Sequence, residues 1–373
     1  MMEDFFVNKV VLITGAAGTV GQELIRQLLP LRPAELRALD NNETELFFLG
    51  ERYRGVHRFT IHLGDVRDAR KLEDVCAGVD VLFHAAAFKH VGLSESHPFD
   101  AVQTNILGVG HVITAALRQG VERVIFTSSD KAVHPTNVMS TTKLLGERLI
   151  TAASLKALHG RRFSSVRFGN IIGSRGSVLP VFEEQIRRGG PVTITDPNMT
   201  RFFMTKEEAV NLVLEACVLA CGGEVFVTKM PVMRIVDLAQ AMIALLAPAY
   251  GFAPQEISLE FVGVRSGEKL YEELLTVEEM DQTLEIERMF VVLPSLQNVP
   301  GKINYSYNGL VERASLQPQY ISSEQVPMTV KEIKHFLLAH HILGDFVKES
   351  RLERHLQKHR HLQLVTEDRI RLA

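Results

Sequence analysis

"KVVLITGAAGTVGQELIRQLLP" (residues 9–30) decides the architecture of this chain. Its opening seven residues are an apolar, β-branched run of the kind that forms a buried strand. Its last twelve place apolar residues at helical spacing. Between them, "TGAAGTVG" (14–21) sets Gly15, Gly18 and Gly21 directly after the strand and directly before the helix. That is the context a dinucleotide's pyrophosphate requires: a tight turn, close backbone approach, and the positive end of a helix. Ala17, Thr19 and Val20 complete the turn and are expected to line the same ligand.

Outward from this unit the pattern repeats. "ELRALD" (35–40), "RFTIHLGD" (58–65), "DVLFHAA" (80–86), "RVIFTSS" (123–129) and "FSSVRFGN" (163–170) read as further strands, with amphipathic helical stretches between them. Strand–helix alternation with short connections predicts an α/β fold, a Rossmann-type doubly wound parallel sheet. Asp40 ends the second strand about 20 residues past the glycines, where a carboxylate accepts both adenosine-ribose hydroxyls and repels a 2′-phosphate. The segment Asp40, Asn41, Asn42, Glu43 has no Arg or Lys to hold such a phosphate, so NAD is expected rather than NADP. Asp65 and Val66 are expected at the adenine edge, and the small Ala85, Ala86 and Ala87 under the cofactor.

Three spans are expected: 1–175 as the NAD-binding domain, with later segments returning to it; 176–340 as mainly a smaller C-terminal substrate-binding domain; and 341–373 as a charged helical extension. In that extension, His355, His359 and His361 are read as part of a solvated or oligomer-contacting helix rather than a metal site, because neither Cys nor a carboxylate cluster accompanies them. The 373 residues carry 46% hydrophobic and 23% charged residues and a formal net charge of -3, which gives no electrostatic case for nucleic acid. Three cysteines cannot make a disulfide framework and fit a reducing compartment. No signal peptide and no apolar run of about 20 residues is present, so a cytoplasmic, soluble protein without a membrane partner is expected.

"SSDKAVHPTNVMSTTK" (128–143) carries the chemistry. Ser129, Asp130 and Lys131 follow a strand, placing an acid and a base side by side at the edge of a nicotinamide pocket, beside Ser128. Met139 and Lys143 are four residues apart and share a helix face. A thioether handles no proton.

With these motifs the chain resembles the extended short-chain dehydrogenase/reductases, which the G-x-x-G-x-x-G spacing also favours. Among them it is most similar to the UDP-N-acetylglucosamine 4,6-dehydratases of polysaccharide biosynthesis. The resemblance runs from about residue 8 to about 340 and rests on motifs in family order: "LITGAAGTVG", "GDVRD", "HAAAFKHV", "TNILG", "SSDKAVHPTN", "RFGNIIGSRGSVLP", "MTRFFMT" and "GVRSGEKLYEELL". It implies a nucleotide-sugar substrate and a nicotinamide cofactor recycled in each turnover. Asp130 would protonate the departing C6 hydroxyl and Lys131 would take the C5 proton. Lys131 must then be neutral part of the time, through burial or a neighbouring cation such as Lys143. Lys143 is the lysine of the Y-x-x-x-K pattern and would hold the nicotinamide ribose.

Met139 stands where that pattern has its tyrosine, as in some members of the dehydratase group. The C4 hydroxyl proton must therefore leave through Asp130, Lys131, Ser129 or a water on Lys143, and Asp130 is the first choice. The resemblance further assigns Thr104 and Lys89 to the cofactor edge. It assigns Lys89, Asn170, Ser174, Arg175, Gly176, Ser177, Val178, Arg201, Arg265 and Glu268 to the UDP-sugar, arginines suiting a diphosphate through paired charge-assisted bonds. It also implies a homo-oligomer through helices near 100–118 and 138–156. A sugar-nucleotide 4-epimerase, a dehydratase that inverts C5, and an inactive nucleotide-binding protein are the competing readings.

Overall fold

The computed structural model describes residues 2–157, 160–174, 176–264, 268–295, 303–307, 310–311 and 320–344. Arg175, Arg265 and the extension from residue 345 onward, with its three histidines, lie outside the described residues. The chain divides into two compact units, one of residues 1–171, 204–230 and 271–325, the other of 172–203, 231–270 and 326–373.

The first unit is built on a ten-stranded sheet. Its strands are β1 Val10–Thr14, β2 Glu35–Asp40, β3 Phe59–Leu63, β4 Val81–His84, β5 Arg123–Thr127, β6 Arg162–Arg167, β7 Val225–Thr228, β8 Thr283–Ile286, β9 Met289–Val292 and β10 Leu310–Val311. Their spatial order is β10-β8-β9-β7-β6-β5-β4-β1-β2-β3. From β3 to β7 every pairing is parallel, and β9, β8 and β10 then extend the sheet antiparallel. The 3-2-1-4-5-6 order is the doubly wound arrangement, whose ligands bind beyond the carboxyl ends of the strands.

Burial explains the order. Leu12, Leu82, Val124 and Phe126 are fully or almost fully buried in one face of the sheet. They pack with Leu72, Val109, Val112, Ala116 and Ile150 from the helices that cover it. A strand covered on both faces favours apolar residues at successive positions, so β1, β4 and β5 read as near-continuous runs rather than alternating ones.

The second unit has its own core. Leu179, Phe182 and Ile186 of helix Val178–Arg187 pack with Leu238, Met242 and Leu246 of helix Ile235–Tyr250 and with Ile333 and Leu337 of helix Val330–Ala339. Two short strand pairs border this core: Val192–Ile194 beside Leu259–Phe261, and Thr200–Met204 beside Val232–Arg234.

Candidate active site

At the end of β1 the glycine turn is tight in a way that no side chain would allow. Gly15 has φ +69°, and a Cβ there would lie 2.5 Å from the Ala86 amide nitrogen. A Cβ on Gly21 would lie 2.2 Å from the Gly15 carbonyl oxygen. Gly18 caps helix Thr19–Leu28 without any side-chain hydrogen bond, so the first-turn amides are left to a ligand. Asp40 holds the turn from β2: its Oδ2 accepts from the Ala17 amide at 2.9 Å and its Oδ1 from the Asn42 amide at 2.9 Å. Each oxygen keeps a second lone pair for a ribose hydroxyl.

Around it, Asn42 caps helix Glu43–Arg52 by accepting from the Glu45 amide, and Asn41 donates to Asp65 at 3.0 Å. Arg67 clasps Asp65 with Nε and Nη2 at 3.0 and 2.7 Å, and this chiefly pulls the Asp65 carboxyl down to about 2. Val66 is buried against Gly108.

The strand ends of β4 and β5 supply the rest. Ser128 is buried, and its Oγ has no hydrogen-bond partner among the described residues. Such an orphaned hydroxyl beside a glycine turn that a Cβ would fill fits a bound dinucleotide. Asn105 sits in a π-helical turn, Gln103–Leu107, that follows directly on Val102. It clamps the loop after β4 by accepting from the Phe88 amide and donating to the Phe88 carbonyl, each at 2.8 Å, and donates to Thr142 at 2.9 Å. Asn105 therefore fixes the backbone that carries Lys89, whose side chain is exposed, and it neighbours Thr104. It was not among the expected site residues, although "TNILG" held it.

Asp130 opens a single 3-10 turn, Asp130–Ala132, immediately past β5. Ser129 Oγ donates to its Oδ1 at 2.6 Å, and Lys131 Nζ lies 3.1 Å from both carboxylate oxygens. Burial alone would raise the Asp130 carboxyl, but the Lys131 charge and the Ser129 and Lys131 hydrogen bonds outweigh it, so it sits below the usual carboxylate range. Lys131 is about one-third exposed and also stands 4.0 Å from Glu272. Both of these neighbours are carboxyl groups.

Lys143 projects from helix Val138–Lys156, which Asn137 caps by accepting from the Ser140 amide at 2.9 Å. Its Nζ donates to the Thr127 carbonyl at 3.0 Å and lies 4.8 Å from the centroid of the Phe126 ring. Burial lowers its pKa to about 8. Met139, one helical turn earlier, is buried with 2% exposure.

Glu272 is the second residue that sequence reasoning missed. It is 4% exposed, and Asn170 donates to both of its oxygens at 2.9 Å. Its amide donates to Ser322 Oγ at 2.9 Å, and the next residue, Glu273, accepts from or donates to His134 at 2.5 Å. A buried arginine anchors this segment: Arg167 bonds both oxygens of Glu147, both of Glu279 and the Leu274 carbonyl, at 2.7–3.1 Å.

In the second unit, Arg201 directs its terminal nitrogens to the backbone carbonyls of Thr200, Lys269 and Leu270 at 2.6–3.2 Å, so it braces the chain just after Glu268. Ser174 accepts the Ser177 amide on its carbonyl at 3.0 Å, and Ser177 caps the helix that begins at Val178, next to Gly176. Among the described residues no group of His, Cys, Asp and Glu is arranged to hold a metal ion, and no helix is long and apolar enough to cross a membrane.

Fold and strand-end residues together define an extended short-chain dehydrogenase/reductase. The chain belongs to the polysaccharide biosynthesis protein family, whose model matches residues 11–294. It is 47% identical over 335 residues, 90% of this chain and 98% of the relative, to an uncharacterized membrane protein of Methanocaldococcus jannaschii. It is 36% identical to an inverting UDP-N-acetylglucosamine 4,6-dehydratase of Campylobacter jejuni, over 83% of this chain and 90% of that protein. A UDP-glucose 4-epimerase of Rickettsia canadensis is 32% identical over 92% of this chain and its own full length. Among solved structures, Pen from Bacillus thuringiensis superposes with a TM-score of 0.83 at 38% identity, covering 91% of this chain and 100% of Pen. The protein is thus an enzyme of the sugar-nucleotide dehydratase and epimerase kind.

Proposed function

We propose that the protein dehydrates a UDP-N-acetylhexosamine, UDP-N-acetylglucosamine first, to its 4-keto-6-deoxy derivative for surface glycan synthesis. The observation that carries this is the buried Asp130, paired with Lys131 and Ser129 directly beyond β5. An epimerase needs a single proton acceptor at the C4 hydroxyl. Removing the C5 proton while the C6 hydroxyl leaves needs a base and an acid at neighbouring atoms, and adjacent Asp and Lys side chains supply both.

NAD, bound on the Gly15–Gly21 turn with its adenosine ribose on Asp40, would take the C4 hydride and return it to C6. The carboxylate at Asp40 and the absence of a phosphate-binding cation in residues 40–43 support NAD over NADP. Asn41, Asn42, Glu43, Asp65, Val66, Ala85, Ala86, Ala87, Thr104 and Ser128 complete the proposed cofactor site. Lys143 would hold the nicotinamide ribose; Met139 would only fill space. Asp130 takes the C4 hydroxyl proton and later gives one to the departing C6 hydroxyl. Lys131 removes the C5 proton and returns one there. Lys89, Asn170, Ser174, Gly176, Ser177, Val178, Arg201 and Glu268 are the proposed substrate contacts, together with Arg175 and Arg265. Exposed Phe99, Val102, Leu107 and Leu145, on the segments expected to pair, support a homo-oligomer.

Incubation with UDP-N-acetylglucosamine in deuterated water, followed by NMR, tests this reading. A 4-keto-6-deoxy sugar labelled at C5 is expected. UDP-N-acetylgalactosamine as product would replace the proposal with an epimerase, and no turnover of UDP-, GDP- or dTDP-sugars would replace it with a binding protein.

A further inference from the structure

Proton counting exposes a gap in a two-residue mechanism. With only Asp130 and Lys131, the resting ion pair holds one proton, on the ammonium. Oxidation at C4 delivers a second proton, to Asp130. Lys131 is then still charged when it must accept the C5 proton. Met139 offers no relay, so within this pair Lys131 would have to release its proton to water.

The structure places a third proton site at this point. Glu272 is buried, lies 4.0 Å from Lys131 Nζ, and is held by Asn170. A buried carboxylate beside the ammonium is a group that can accept its proton.

We propose that Glu272 completes a proton-sharing set with Asp130 and Lys131, accepting a proton so that Lys131 is neutral when it attacks the C5 hydrogen. This rests on the dehydratase reading. The resting set carries one proton. The C4 hydroxyl proton, on Asp130, makes two; when Lys131 passes its own proton to Glu272, each carboxyl holds one and Lys131 is the neutral amine. Asp130 then gives its proton to the C6 hydroxyl, which departs as water, while Lys131 takes the C5 proton. Lys131 finally protonates C5 as the hydride reaches C6, and one proton remains, as at the start. Glu272 acts through its two neighbours and is in that sense a positioning residue, for protons rather than for substrate.

The test follows reduced cofactor during a single turnover of the NAD-loaded enzyme with UDP-N-acetylglucosamine. Glu272→Gln keeps the shape and removes the proton site. Reduced cofactor is expected to form at a rate within about threefold of the unaltered enzyme and then to persist at least tenfold longer. The elimination step should recover as pH rises, because Lys131 must then lose its proton to solvent; a merely structural defect moves no pH optimum. Glu272→Asp should restore the original profile in part.

A pH-indicator dye in weak buffer gives a second readout, on the unaltered protein and independent of how any variant folds. No proton should appear in solution while reduced cofactor is present. One proton released per reduced cofactor overturns the inference, as does a Glu272→Gln enzyme with an unchanged transient and pH profile. If the unaltered enzyme yields no 4-keto-6-deoxy product, the dehydratase reading falls and takes this inference with it; product formation with either overturning result removes the inference alone.

Discussion

Replacing Arg167 by Met tests how the active-site segment is held. The guanidinium is 1% exposed, and its five N–H donors meet Glu147, Glu279 and the Leu274 carbonyl. Methionine fills most of the volume but leaves two buried carboxylates facing each other. Breaking a buried ion pair from one side costs about 3–5 kcal/mol. Burial acts to raise the Glu279 carboxyl, and its bonds to Arg167, with the Thr276 amide, more than offset this, so it sits below its usual range. Without Arg167 only the Thr276 amide and the Arg148 charge oppose burial, and the folded-state pKa of Glu279 rises above the unfolded value. The variant then folds with extra protons, so its deficit relative to the original protein is smallest near pH 5 and grows toward about pH 8.

Urea unfolding followed by circular dichroism across that range measures the deficit. Replacing Arg167 together with Glu147 and Glu279 by apolar residues should recover most of it, since a buried charge set is often no better than a well-packed apolar one. A loss below about 1 kcal/mol at the alkaline end, the size of an exposed pair, refutes the reasoning. So does a deficit that does not change with pH.

Four further outcomes follow from the site. Gly15→Ala puts a Cβ 2.5 Å from the Ala86 amide in a left-handed backbone, so the purified variant should lose bound dinucleotide, read from its absorbance spectrum after denaturation. Met139→Leu conserves volume at a buried position and should leave C4 oxidation within about twofold and stability within about 1.5 kcal/mol, because the thioether carries no proton. Asp130→Asn should slow the appearance of reduced cofactor by about 10²–10⁴-fold; a rate near that of the original enzyme removes Asp130 as the acceptor of the C4 proton. Burial holds Lys143 at about 8, below the value of an unfolded lysine, so the unfolded chain binds more protons between those two pKa values. Stability relative to Lys143→Met should therefore climb from about pH 8 to about pH 10, by about 2 kcal/mol, in cofactor-free unfolding curves.

Much of the first unit could be read directly. The six leading strands stand where they were read, and in β1, β4 and β5 burial on both faces leaves a continuous apolar signature. The glycine turn was legible because only glycine tolerates the approach of Gly15 to Ala86 and of Gly21 to Gly15. Glu272 was not legible. "KLYEELL" has the look of a charged helix face, yet Glu273 bridges to Ile321 and the Glu272 amide bonds Ser322, contacts about fifty residues distant that no local period encodes. Nor did the strand reading of 163–170 single out Arg167, whose burial depends on glutamates supplied 20 residues before and 112 residues after it. The antiparallel extension, β8 to β10, escaped for the same reason: its short strands take their place only by pairing with β7, which itself returns to the sheet after the second unit has begun.

That interleaving has a consequence on the ribosome. Asp130 and Lys131 emerge long before Glu272, and while the intervening chain is being made, the open edge of β6 waits for β7, and that of β7 for β9. An unpaired apolar edge is an aggregation hazard, so the nascent chain needs shelter through much of its synthesis. A product cut short before residue 271 would carry the whole glycine turn and lack Glu272, the proposed third proton site.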